Sequence, residues 1–187
     1  MSGASKPMPG SVRDIRSLRA HLRAILLTAS KSGQILESQA AIERVLCIGT
    51  ELPTDLPKEL RAGAQALLCG GFRGGGRFGD DESPPIAITR ADEAELDFTV
   101  LARNQGRTLT ILGYGFRLRF PPKHQPAFLR IDMNVPGHQN DADGVRVHLH
   151  PGNNDLQIPL PWLNPEEALT LMLYGLSVPT KQRHDQA

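Results

Sequence analysis

Two histidines one residue apart, His148 and His150, close the segment Val145-Arg-Val-His-Leu-His150, in which apolar and polar residues alternate. Alternation is the period of a strand with one buried face. Val145, Val147 and Leu149 are expected in a core, with Arg146, His148 and His150 on the opposite, exposed face. A second such segment, Phe128-Leu-Arg-Ile-Asp-Met133, turns Leu129, Ile131 and Met133 inward and Arg130 and Asp132 outward. Paired as a hairpin, the two would show two imidazoles, two guanidiniums and a carboxylate on one surface. Arg117 and Arg119 join them if their strand, Tyr114-Gly-Phe-Arg-Leu-Arg-Phe120, lies alongside, and the loop 134–144 brings His138 to the rim.

Three uses fit these residue types. The first is metal-independent, ribonuclease-like cleavage of RNA. Imidazoles titrate near neutrality, with an unperturbed pKa of about 6.5, so His148 and His150 can serve as acid and base. Asp132 would orient an imidazole, with His138 a further catalytic candidate. Arg130, Arg146, Arg117 and Arg119 would grip phosphate without changing protonation state. That chemistry needs no cofactor. The second use is a metal site: alternate strand residues project the same way, so His148 and His150 supply two ligands and Asp132 or His138 a third, for Zn, Mn or Fe. Nearby arginines oppose it. The third use is no chemistry at all, only a solvated face in which Asp132 pairs with Arg130 and Arg146 across strands, worth roughly 0.2–1 kcal/mol.

Bulk properties narrow the classes. At 187 residues the chain suits one domain with an appendage or two small lobes. A net charge of +1 and 40% hydrophobic residues give no global pull toward nucleic acid or a membrane, and no apolar run approaches the ~18 residues of a membrane helix. Cys47 and Cys69 lack a CxxC spacing and read as reduced thiols of a cytoplasmic protein.

An α+β protein is expected around the site. Residues 1–10 read as a disordered lead and 11–69 as a helical unit of three helices. The first is capped by Ser11, carries Ile15, Leu18, Leu22, Ile25 and Leu26 at helical spacing, and shows Arg16, Arg19 and Arg23 on its other side. The second spans Gln34 to Ile48; the third runs from Asp55 and Pro57 to Gly70 with Leu60, Ala64, Leu67 and Leu68 on one side. Residues 70–85, with six glycines in the ten from Gly70 to Gly79, form a Gly/Pro-rich linker. Residues 86–178 form an antiparallel meander with strands at 86–90, 95–102, 108–112, 114–120, 128–133 and 145–150. A C-terminal helix opens at Asn164-Pro-Glu-Glu167, and 179–187 is a tail. The glycine stretch lacks the Gly-Lys-Ser/Thr ending of a nucleotide-binding loop.

Arg130-Ile-Asp132, Pro136-Gly-His138 and His148-Leu-His150, following a short meander, resemble the end of the TumE-like toxin–antitoxin toxins. The resemblance covers roughly residues 95–150. It implies a growth-inhibiting bacterial toxin acting on RNA, neutralised by a helix-turn-helix antitoxin partner, with Arg130, Asp132, Pro136, His138, His148 and His150 as the matching positions. The competing expectation is a non-catalytic protein-interaction module of a larger bacterial assembly, using the same face and the first helix.

Overall fold

A computed structural model describes residues 13–49, 52, 56–70, 87–106, 108–122, 124–137 and 145–177. Helix α1 spans Ile15–Lys31 and buries Ile15, Leu18, Leu22, Leu26 and Ala29, the three-and-four spacing read from the sequence. Its cap is Asp14, not Ser11: the carboxylate accepts the Ser17 amide hydrogen at 2.8 Å. It stands one residue before the apolar stripe and also opposes the positive end of the helix. On the outer side Arg19 and Arg23 pair with Glu43.

The expected second helix narrows to α2, Gln39–Val45, capped by Ser38, and leads straight into strand β1, Leu46–Gly49. The expected third shrinks to α3, Lys58–Arg61; its supposed second half is strand β2, Ala64–Cys69. A short apolar run suits helix or strand equally. Here Ala64–Cys69 lies between two antiparallel neighbours, β1 on one side and β4 (Glu95–Gln105) on the other, so both of its edges find hydrogen-bond partners. The stretch expected to be wholly helical thus supplies two strands to the sheet that carries the histidines. Most of the expected linker falls in 71–86, outside the described residues.

The remaining strands are β3 (Ile88–Thr89), β5 (Thr108–Arg119), β6 (Phe128–Met133), β7 (Val147–Pro151) and β8 (Ile158–Pro159). Among the described residues the sheet has eight strands in the order β1-β2-β4-β5-β6-β7-β8, with β3 beside β4, and their pairings are antiparallel. The strands expected at 108–112 and 114–120 are one strand, β5. Its irregularity is a bulge: Leu101 faces Gly113 and Ala102 faces Ile111, leaving Leu112 extra. A side chain at Gly113 would place its Cβ 2.9 Å from the Met133 carbonyl oxygen, so only glycine fits there.

One sheet face packs under α1 and α4, Pro165–Thr170. Phe98 and Phe116 stack at 4.8 Å and Tyr114 meets Phe116 edge-on, its hydroxyl donating to the Leu163 carbonyl at 2.9 Å. Burial pushes the Tyr114 phenol well above its ordinary pKa. Helix α4 carries the expected capping box of Asn164 and Glu167 and continues as a π-helical turn, Leu171–Gly175. Buried Arg90 ties that end down through the carbonyls of Met172 and Leu176. A smaller cluster of Leu56, Ala66, Leu101 and Leu112 is separate from this main core. Among the described residues no helix is long and apolar enough to cross a membrane.

Candidate functional site

The meander lays two polar rows side by side on the face turned away from the Tyr114–Phe116 core. One row crosses four strands, Asp97 opposite Arg117, Arg117 opposite Arg130, and Arg130 opposite His150. The next runs Thr99, Gly115, Asp132, His148 and Pro159. The sequence-read alternation therefore holds: Ile131, Met133 and Val147 are buried in the main core, with Leu129 and Leu149 packed against it.

The polar face is not exposed, as the alternation alone suggested. Only 2% of His148 and His150, 7% of Asp132 and 8% of Arg130 remain accessible. Strand period says which residues share a face; what lies over that face is a tertiary matter. Burial changes the energetics, because charged and polar groups removed from water must find partners or cost free energy.

The cluster is only partly satisfied. Arg130 Nε donates to Asp132 Oδ2 at 2.7 Å. His150 Nδ1 lies 3.3 Å from the Asn153 carbonyl oxygen, which can only accept, so Nδ1 carries the hydrogen. In the neutral ring Nε2 then holds a lone pair, yet it lies 3.4 Å from the acceptor Asp132 Oδ2. Two further atoms, Asp132 Oδ1 and His148 Nδ1, are buried with no hydrogen-bond partner. The imidazoles meet edge-on with centroids 4.8 Å apart. Desolvation holds His148 below the ordinary pKa of 6.5, against the pull of Asp132 and with help from His150 and Arg130. His148 is thus a neutral imidazole near neutral pH, with a lone pair to offer. One ligand atom from each of Asp132, His148 and His150 lies within 4.8 Å of the others.

The other expected site residues divide. Arg117 shares the row, bonded to Asp97 at 3.1 Å, and Arg119 pairs with Glu95 at 3.1 Å. Burial raises the Asp97 carboxyl above its usual pKa despite Arg117. Arg146 is engaged elsewhere: its guanidinium donates to the carbonyls of Asn134 and Leu112, each at 2.9 Å, and lies over the Trp162 ring. Of the two partners expected for Asp132, Arg130 pairs with it, from two residues away on the same strand, and Arg146 does not. His138 lies outside the described residues. Two contributors went unread in the sequence, the Asn153 carbonyl and Asp97. Counted from the β4–β5 turn without the bulge, Asp97 would face Phe116; the extra Leu112 moves it opposite Arg117. The charge match between Glu95-x-Asp97 and Arg117-x-Arg119 was the available signal.

No protein-family model, curated protein or solved structure matches this chain.

Proposed function

We propose that Asp132, His148 and His150 form a centre for a divalent transition-metal ion, and that this centre is the working site of the protein. The observation that carries the reading is the acceptor-to-acceptor approach of His150 Nε2 and Asp132 Oδ2, beside two other buried atoms, Asp132 Oδ1 and His148 Nδ1, without a hydrogen-bond partner. A cation among them answers the contact between the two acceptors and takes up the unpartnered carboxylate oxygen. His150 has the arrangement of a ligating histidine, one nitrogen held by a backbone carbonyl and the other turned to the site. Arg130 occupies Oδ2 and leaves Oδ1 available, so the arginine expected to repel a dication steadies its carboxylate ligand instead. Two imidazoles and a carboxylate suit Zn, Mn or Fe(II) and leave coordination positions for water or substrate; when bound, such an ion supplies Lewis acidity and an acidified water.

Equilibrium dialysis against zinc, manganese and iron(II), followed by elemental analysis, tests this. About one tightly held ion per chain is expected, lost in His148→Ala/His150→Ala. Equal content in the two proteins would overturn it, and would favour an imidazolium at His150 as the answer to the contact with Asp132.

A second reading gives the site a biological role, as the active element of a toxin-like bacterial protein of the cytoplasm that acts on RNA and is held by a helix-turn-helix antitoxin. Its support is that four of the positions carrying the TumE-like resemblance, Arg130, Asp132, His148 and His150, converge in one cluster with Arg117 in the adjoining position. Induced wild type is expected to arrest bacterial growth, and the double mutant at equal abundance to relieve it. Unimpaired growth with both proteins would argue for the interaction-module role.

A further inference from the structure

Resting on the metal reading above, we infer that the ion shares its site with an oxyanion of the phosphate class, held between the ion and the guanidinium of Arg130. Charge bookkeeping along the polar face leads there. Among the described residues of the face, Glu95 and Asp97 are paired with Arg119 and Arg117, and Asp132 with Arg130, so these charges balance before an ion arrives. A dication bound by two neutral imidazoles and the already paired Asp132 leaves two uncompensated positive charges among side chains that are nine-tenths buried. Such an excess demands an anion.

The geometry offers it a seat. Arg130 uses Nε on Asp132, and among the described residues its two terminal nitrogens have no partner. A planar guanidinium edge with free N–H groups is the donor that matches two oxygens of a phosphate or carboxylate group. Arg130 sits opposite His150 in the ladder and two residues from Asp132, so it flanks two of the three ligands. Across β5 the position facing Asp132 is Gly115, which brings no side chain of its own to that row.

The experiment uses the full chain loaded with cobalt(II), whose visible spectrum reports changes in coordination, and inorganic phosphate as the probe. Phosphate is expected to shift the cobalt bands saturably in wild type, about tenfold or more weakly in Arg130→Lys, which keeps the charge and loses the fork. Absence of any shift in loaded wild type overturns the inference. So does equal affinity in Arg130→Lys, which would mean that the metal alone takes the anion. If Arg130→Lys does not fold, competition by carbonate and chloride decides in the wild type: displacement of phosphate by carbonate but not by equimolar chloride supports a two-oxygen site, and equal displacement overturns it. Should cobalt not bind at all, the metal reading has failed and the shared site with it; cobalt that binds but does not respond to phosphate leaves the metal reading standing and overturns this inference alone.

Discussion

The two faces of one sheet are built to opposite rules from the same strands. Under α1 and α4, Phe98, Phe116, Leu96 and Leu118 pack as apolar side chains against one another and the helices. Dispersion and the hydrophobic effect suffice there, and neither needs a particular partner. On the reverse face the same residues' neighbours are half-buried Asp97 and Arg117 and buried Arg130, Asp132, His148 and His150, with Asp132 Oδ1 and His148 Nδ1 left unmatched. Burying ions this way gains little stability over apolar side chains of equal size. A cluster that costs free energy and is incompletely paired points to a role other than holding the fold.

That contrast can be broken by mutation. The largest effect is expected on the apolar face: Phe116→Ala should lower unfolding free energy by about 3–5 kcal/mol in a denaturant titration. A loss near zero would mean that this face is not the core. Next comes Asp132→Ala, which strands the Arg130 charge and should cost about 3 kcal/mol. Replacing the whole cluster (Arg130→Met, Asp132→Leu, His148→Leu, His150→Leu) is expected to leave stability unchanged or higher while abolishing metal uptake. A quadruple variant much less stable than wild type would make the polar face structural after all.

A smaller effect tests the helix that covers the apolar face. Asn164→Ala removes the capping box of α4 and should cost about 1 kcal/mol, visible as a lower melting temperature with metal content unchanged. The smallest concerns Asp97, whose carboxyl burial raises above its ordinary 3.8. A carboxyl with a raised folded pKa holds its proton more tightly in the folded state. Its stabilising share is therefore complete below the unfolded value and is lost as pH rises through the raised one. Asp97→Asn should flatten that part of the profile of unfolding midpoint against pH; an unaltered profile would show that Arg117 fully offsets the burial.

Much of the meander was legible, for a local reason. In β6 and β7 the order of apolar and polar residues is itself the period of a strand, and Asn164-Pro-Glu-Glu167 writes a helix start in four residues. The same logic failed for Ala64–Cys69, whose apolar run has no period to arbitrate between helix and strand. It failed again at Leu112, because a bulge is one residue of register that only the partner strand reveals.

For the candidate site the division is sharper. Residue order alone determined that Arg130 and Asp132 share one strand face and His148 and His150 another, since successive side chains on a strand must point oppositely. Only the tertiary structure decided that these faces are one face, that Arg130 rather than Arg146 takes Asp132, and that the cluster is largely buried. Pairing register and burial belong to segments far apart in the chain, and the free energy that selects them is that of the assembled sheet, not of any strand within it.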